Sequence, residues 1–382
     1  MWNFVIVIMR VGIVCYPTFG GSGVLATELG KALAKKGHEV HFISYNQPAR
    51  LDFFSENVFY HEVNIAKYPL FEYAPYETAL AGKMVDIVQS AHLDVLHVHY
   101  AIPHASAALL AKQILAQHGI EIPVVTTLHG TDITLVGREV TYEHVVSWSI
   151  NQSDAVTAVS NKLKEETLQH FDIKREIDVI PNFIDFNRFN KKPREHFKQM
   201  IAPNGEKIII HTSNFRKVKR VEDVVAVFSQ IIREIPAKLL LIGDGPERSH
   251  IEKVCREHNT CDWVTFLGKQ EAIEEILSIG DLFILPSESE SFGLAALEAM
   301  ACEVPVISSN AGGIPEVNIH GVTGFLSDVG DVDSMAQNAI ALLKDPEMLK
   351  TFRKNALTQA HNFELETILL QYEDIYQRVV TA

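Results

Sequence analysis

Asp281-Leu-Phe-Ile-Leu-Pro286, then Glu290-Ser-Phe-Gly-Leu-Ala-Ala-Leu-Glu298, is the stretch that decides the fold class. The first run is short, apolar and uninterrupted, the pattern of a strand buried on both faces of a parallel sheet. The second reads as a loop at that strand's carboxyl end, followed by a helix start of small residues. Glu290 therefore falls in the loop, and Glu298 falls one to two turns into the helix. The helix start, Ser291 to Leu294, offers N–H groups without intrahelical partners and the positive end of a helix dipole, both of which favour an anion. A carboxylate on each side of a phosphate site suits a sugar joined to a nucleotide, one Glu for sugar hydroxyls and the other for the ribose. The same letters also fit a solvated loop Glu and a surface helix Glu, so the surrounding pattern must arbitrate.

Outward from that stretch, strand and helix patterns alternate. In the first half the expected strands are Val11–Cys15, Val40–Ser44, Val95–Val98, Val124–Leu128, Ala155–Val159 and Ile177–Ile180. Helices are expected over Gly23–Lys36, Thr78–Ala91, Ala105–Gln117 and Asn161–His170. The alternation stops at the Pro- and Asn-rich connector Pro181–Asn190, and a polar, basic stretch runs on to Gly205. It then restarts. Strands are expected over Lys207–His211, Lys238–Ile242, Trp263–Leu267, Leu282–Leu285 and Pro305–Ser308. Helices are expected over Val221–Glu234, Glu247–His258, Glu271–Ser278, Leu294–Ala301 and from Val332 onward. This is the signature of parallel βαβ units. A chain of 382 residues is long enough for about two domains. The expectation is an α/β protein of two facing, Rossmann-like, doubly wound domains with a cleft between them, the first over residues 1–182. In such sheets ligands lie at the carboxyl ends of strands, and the motifs below all fall there.

Composition narrows the function. Hydrophobic residues make up 47% and charged residues 21%, which is globular rather than disordered. A formal net charge of −14 argues against nonspecific nucleic-acid binding and against docking on an anionic membrane. The four cysteines, Cys15, Cys255, Cys261 and Cys302, include no C-x-x-C pair, so reduced thiols in the cytoplasm are expected. No apolar run reaches the length of a membrane span. The apolar start lacks a basic leader region and a cleavage site, and Met9 reads as a natural start with residues 1–8 as an upstream extension.

Several motifs can carry chemistry. Gly20-Gly-Ser-Gly23 follows the first strand, and with Ala26 it also spells a dinucleotide fingerprint. Small residues at Gly21, Ser22 and Gly23 let a phosphate or sugar approach the backbone. A dinucleotide site would want an acidic residue ending the second strand, and Val40–Tyr45 has none; a tight turn with no ligand fits as well. Ser213-Asn-Phe-Arg-Lys-Val-Lys-Arg220 puts four cations within five residues after a strand. Arg216 and Lys219 are the better candidates to neutralise a diphosphate, against the alternative of a solvated basic loop. His129, in Thr126-Thr-Leu-His-Gly-Thr-Asp132, can hydrogen-bond a sugar or shuttle a proton, or be structural. Tyr100 ends the strand carrying His97 and His99, and no further metal ligands are placed beside them. Gly243 and Gly245 suggest close backbone approach, and Ala311-Gly-Gly-Ile-Pro-Glu316 is another Gly-rich turn.

Together these residues resemble the retaining glycosyltransferases of family 4, which have the two-domain GT-B fold. The paired Glu290 and Glu298 are that family's hallmark, and the resemblance covers nearly the whole chain from Met9. Tyr16–Gly23, His97–Pro103, Thr127–Thr134 and Ser213–Arg216 are similar to the branch that moves N-acetylglucosamine from UDP to the hydroxyl of L-malate, opening bacillithiol biosynthesis.

The resemblance implies a second domain over 183–362, which holds the nucleotide sugar, and a last helix within 363–382 that crosses back to the first domain. Glu298 would hold the uridine ribose and Glu290 the donor-sugar hydroxyls. Lys219 and Arg216 would stabilise the diphosphate, beside the backbone of Phe292, Gly293, Leu294 and Gly243. Many members carry Gly-Arg where this chain has Ser213-Asn214, so Asn214 would bond sugar or acceptor and Arg216 would supply the missing charge. Glu290, His129 and Lys219 would form the catalytic group. Gly21, Ser22 and Gly23 would pack against donor or acceptor, and Tyr100, Thr126 and Arg138 would grip the acceptor. UDP-N-acetylglucosamine and L-malate would be substrates, with no cofactor and no metal; self-association into a homo-oligomer is left open. Other readings are a family 4 enzyme with another donor or a lipid or inositol-type acceptor, a sugar-nucleotide epimerase, or a non-catalytic binding module.

Overall fold

The computed structural model describes residues 8–18, 20–51, 55–65 and 72–381, without the side chains of Leu135 and Arg138. The expected upstream extension thus lies outside the described residues, apart from Ile8. The chain divides into two compact units: residues 1–182 with 365–382, and residues 183–364.

The first unit is built on β1 (Arg10–Val14), β2 (Glu39–Ser44), β3 (Val58–Glu62), β4 (Val95–His99), β5 (Val124–Leu128), β6 (Ala155–Ala158) and β7 (Ile177–Val179). Every described pairing is parallel, in the order β3-β2-β1-β4-β5-β6-β7. The central strands β4 and β5 are buried along their whole length, polar His97, His99, Thr126 and Thr127 included, as a sheet covered on both faces requires. Several elements escaped the sequence reading, an edge strand and a long helix among them. Edge strand β3, Val-Phe-Tyr-His-Glu, is only half-buried and carries no strong apolar run. The helix Val140–Gln152 exposes Val140, Tyr142, Val145 and Trp148, so its pattern has no clean apolar stripe.

After residue 364 the chain returns to the first unit as the helix Leu365–Val380, whose Tyr372 and Tyr376 are buried. Its Glu373 is also buried, and it accepts hydrogen bonds from Lys36 Nζ at 2.5 Å and His38 Nε2 at 3.1 Å. The other His38 nitrogen, Nδ1, accepts the Met9 N–H at 3.1 Å, so the ring proton sits on Nε2 and points at the carboxylate. This is a buried charge with its partners in place, and removing it strands two donors.

The second unit holds β8 (Lys207–Thr212), β9 (Ala237–Ile242), β10 (Val264–Gly268), β11 (Leu282–Leu285), β12 (Val306–Ser309) and β13 (Gly324–Ser327), again parallel, in the order β10-β9-β8-β11-β12-β13. The short, Gly-initiated β13 was not expected, and the helix expected over Glu271–Ser278 is the shorter Ile273–Leu277. Phe215, Phe228 and Phe283 are fully buried in this unit.

In each sheet the strand order reverses once, at β1/β4 and at β8/β11. Loops leaving such a switch point diverge and leave a crevice at the carboxyl edge.

Glu373→Ala is expected to lower unfolding stability by about 2 kcal/mol. Glu373→Gln, whose amide oxygen still accepts from His38, should lose less. Urea denaturation of both variants checks this, and equal losses would show that the acceptor retained in Gln contributes nothing to stability.

Candidate active site

In the second unit, the loops after β8 and β11 meet at the switch point. The β8 loop is anchored by Phe215, a fully buried ring held at φ 37. With that ring in the core, its neighbours Asn214 and Arg216 are left exposed. Gly243 and Gly245 permit this. A Cβ at Gly243 would lie 1.8 Å from the Ser213 carbonyl oxygen, and one at Gly245 would lie 2.0 Å from that of Asn214. Gly243, at φ 118, therefore backs the loop rather than only offering its own surface to a ligand.

His211, at the end of β8, was missed by sequence reasoning. It is fully buried. Its Nδ1–H donates to the Ile284 carbonyl at 2.8 Å, so Nε2 accepts from the Ser213 hydroxyl, also at 2.8 Å. Burial, with Lys219 nearby, pushes its pKa down to about 4, so it is neutral at physiological pH and ties β8 to β11. The detectable signal was a His on an otherwise apolar strand two residues before a Ser.

Of the four loop cations, Arg220 pairs with Asp223 at 2.6 Å and Lys219 pairs with Glu290. Arg216 and Lys217 are exposed. The Glu288 N–H donates to the Val218 carbonyl at 2.8 Å, which joins the two loops beside the Lys219–Glu290 pair. Ser287 Oγ donates to Glu290 at 3.3 Å. The Gly-rich turn supports the same residue from behind. The Gly313 N–H donates to the Glu290 carbonyl at 2.9 Å, and a Cβ at Gly312 would lie 1.8 Å from that oxygen.

Gly293, at φ 93, starts the helix Leu294–Ala301, which has no side-chain cap. This is the condition in which a helix terminus accepts an anion. Glu298 is buried one turn in. Phe292 is buried and its ring packs edge-on to Phe363 at 5.4 Å, so the ring belongs to the core. Asp331-Val-Asp333 has the letters of a metal-binding Asp-x-Asp. Asp331, however, caps its own helix through the Ser334 N–H at 3.0 Å, and Asp333 accepts from Gln230 at 2.8 Å.

In the first unit, the loops after β1, β4 and β5 converge. Gly21 caps the helix Ser22–Lys35 at φ 60, and the hydroxyls of Ser22 and Tyr100 lie 2.5 Å apart. A Cβ at Gly23 would lie 2.4 Å from the Tyr16 carbonyl oxygen, so Gly23 serves close packing of helix on loop. Tyr100 sits at φ 87, with its ring 5.5 Å from that of Tyr16 and 5.1 Å from that of His129. The structure thus gathers Gly21, Ser22, Tyr100 and His129 at one edge.

Asp132, which sequence reasoning also passed over, pins the turns after β4 and β5 together. It accepts the N–H groups of Ala101 at 2.8 Å and Gly130 at 3.1 Å. Burial raises its pKa to about 6 against the opposing pull of those donors.

Thr126 requires a correction. It is fully buried, and its hydroxyl is engaged by Ser153 Oγ at 2.8 Å, so it belongs to the core and not to an acceptor site. Strand alternation is the reason: Thr127, one residue on, faces the other side and meets His97. The Arg138 side chain lies outside the described residues.

Residues 19–188 match the model for Glycosyltransferase Family 4, and residues 192–359 match that for Glycosyl transferases group 1. A Bacillus anthracis protein, N-acetyl-alpha-D-glucosaminyl L-malate synthase, is 48% identical over 97% of this chain and 97% of its own length. The chain belongs to glycosyltransferase family 4. Sucrose-phosphate synthase from Thermosynechococcus elongatus, 24% identical, superposes with a TM-score of 0.80 over 98% of this family 4 glycosyltransferase and 99% of that chain. Anabaena Alr3699/HepE in complex with UDP and glucose, 22% identical, superposes with 0.82 over 97% and 99%. Both share the fold with this glycosyltransferase, the GT-B arrangement of two Rossmann-like domains.

Gly312→Ala is expected to cost about 2–3 kcal/mol of stability, because the methyl group collides with the backbone that carries Glu290. Gly20→Ala, with nothing within 4 Å of its new methyl, is the neutral control. Equal unfolding curves for the two would show that the turn does not brace Glu290.

Proposed function

We propose that this glycosyltransferase moves N-acetylglucosamine from UDP to the hydroxyl of L-malate with retention of the α configuration, as the first step of bacillithiol biosynthesis. The observation that carries this reading is the near full-length identity to the Bacillus anthracis synthase.

The geometry supports it from the second unit. Breaking the anomeric C–O bond leaves negative charge on the β-phosphate. Lys219, Arg216 and the uncapped helix start at Leu294 would stabilise that charge as it develops. Lys219 is paired with Glu290. An incoming diphosphate would compete for the lysine and release the Glu290 carboxylate to the sugar hydroxyls. Glu298 would hold the ribose. In the first unit, Ser22, Tyr100 and Arg138 are the donors proposed for malate, whose two carboxylates need them. Retention would follow from front-face attack, with the leaving phosphate taking the acceptor proton. The proposed setting is the cytoplasm, where both substrates would be soluble; no helix among the described residues is long and apolar enough to cross a membrane.

Purified protein is expected to release UDP and form a glycoside with UDP-N-acetylglucosamine and L-malate, read by mass spectrometry, and not with inositol or a lipid acceptor. Turnover with inositol alone would replace the acceptor assignment.

Glu298→Ala is expected to raise the donor KM about tenfold or more, and Lys219→Ala to lower kcat by about a hundredfold. Unchanged kinetics in both would remove these residues from the site.

A further inference from the structure

We propose that His99 is a positioning residue: its Nδ1–H donates to Nε2 of His129 and fixes His129 as the Nδ1–H tautomer, a hydrogen-bond donor rather than a proton acceptor. The effect on turnover rests on the transfer reading above; the tautomer itself does not.

His99 ends β4 and is buried. Its Nδ1 lies 2.8 Å from His129 Nε2, with the rings 5.1 Å apart and inclined by 25°. Its carbonyl accepts the His104 Nδ1–H at 2.5 Å, and its ring lies against His97 at 4.5 Å. The His99 side chain is therefore held on several sides. Its other nitrogen, Nε2, is buried and has no hydrogen-bond partner among the described residues.

That orphaned atom decides the direction of the bond. Burial, reinforced by the neighbouring imidazoles, lowers the pKa of His99 and brings that of His129 down to about 3. Both rings are then neutral at physiological pH, so one N–H lies between the two facing nitrogens. If His129 donated it, His99 would have to carry its own proton on Nε2, a buried N–H with no acceptor. If His99 donates, Nε2 holds only an unused lone pair. Orphaned buried N–H groups are rarer than under-used acceptors. His99 is therefore the donor, Nε2 of His129 is filled, and the His129 proton resides on Nδ1.

The surroundings keep it there. From β4 the titratable groups are His97 and His99; from the turn after β4, Tyr100 and His104; from the loop after β1, Tyr16; and from the turn after β5, Asp132. His97 and His104 are themselves neutral, with pKa values near 3 and 4 set by burial. The Asp132 carboxylate is committed to backbone N–H groups. To act as a base, His129 would have to become a cation among these groups. A fixed N–H donor, by contrast, suits an electron-rich oxygen of a sugar or acceptor and carries no charge to be desolvated. His129 then binds and orients, and the acceptor proton leaves by another route.

The test is ¹⁵N NMR of the full chain with labelled histidine, alongside kinetics. In the native protein His129, assigned by loss of its signals in His129→Asn, should show a protonated Nδ1 and a bare Nε2 with no titration between about pH 5 and pH 8. His99→Phe keeps a ring but loses the N–H, and should give a changed His129 pattern with kcat lowered about tenfold. His99→Asn, whose amide N–H stands close to where Nδ1 stood, should restore both the pattern and a rate within about twofold of native.

UDP binding, measured on each variant, should be unchanged. A native His129 protonated on Nε2, a titrating His129, or equal behaviour of the Phe and Asn variants overturns the proposal. If His99→Phe fails to fold, the native spectrum and His99→Asn still decide it. A native enzyme inactive toward malate would defeat the transfer reading and leave the tautomer measurement standing.

Discussion

Parallel strands joined by helical crossovers end on one edge of their sheet, and the candidate active-site residues of this protein depend on that constraint. The order of each sheet reverses at one place, between β1 and β4 and between β8 and β11. The connecting loops must part there, because successive helices pass to opposite faces of the sheet. The groups with chemical potential stand at those two places or one strand over: Ser22 and Tyr100, with His129 after the neighbouring β5, in one unit, and Lys219 and Glu290 in the other. None of them lies in the middle of a strand, where Thr126 is instead absorbed into the core.

Holding such loops in place demands anchors, and the anchors are buried polar or aromatic groups with full hydrogen-bond accounts. Phe215 sinks its ring while its backbone turns through positive φ, and two glycines make room for the carbonyls of Ser213 and Asn214 just before it. His211 spends both nitrogens on neighbouring loops and strands. Asp132 gathers two backbone N–H groups that would otherwise be stranded. His97 bridges Tyr376 and Thr127, at 2.7 Å each, so the returning C-terminal helix joins the network under the β4 and β5 turns. These groups set where the candidate site residues stand.

Legibility in the sequence followed burial. Strands buried on both faces, such as Leu282–Leu285 and Val124–Leu128, announced themselves as apolar runs with boundaries accurate to a residue or so. Half-exposed β3 and the helix Val140–Gln152 did not, because neither needs a strict apolar period to be stable where it lies. Of the site, the carboxylate pair and the basic loop were readable because both follow a clear strand. Asp132 and His211 were not, since a lone Asp or His carries no mark of the backbone groups it will meet. Thr126 was misread because one step along a strand exchanges the two faces, and a motif does not say which face is which.

The amino-acid order alone determined the α/β class, the restart of alternation after Pro181–Asn190, and the placement of Glu290 in a loop and Glu298 in the following helix. These follow from periodicity and from local turn chemistry, which act over a few residues. Only the tertiary structure decided that Lys219 closes on Glu290 and that His99 faces His129. Those pairings join residues from different loops or strands. Whether two such side chains meet depends on strand order, register and the burial that fixes their rotamers and protonation, none of which is a local property of the chain.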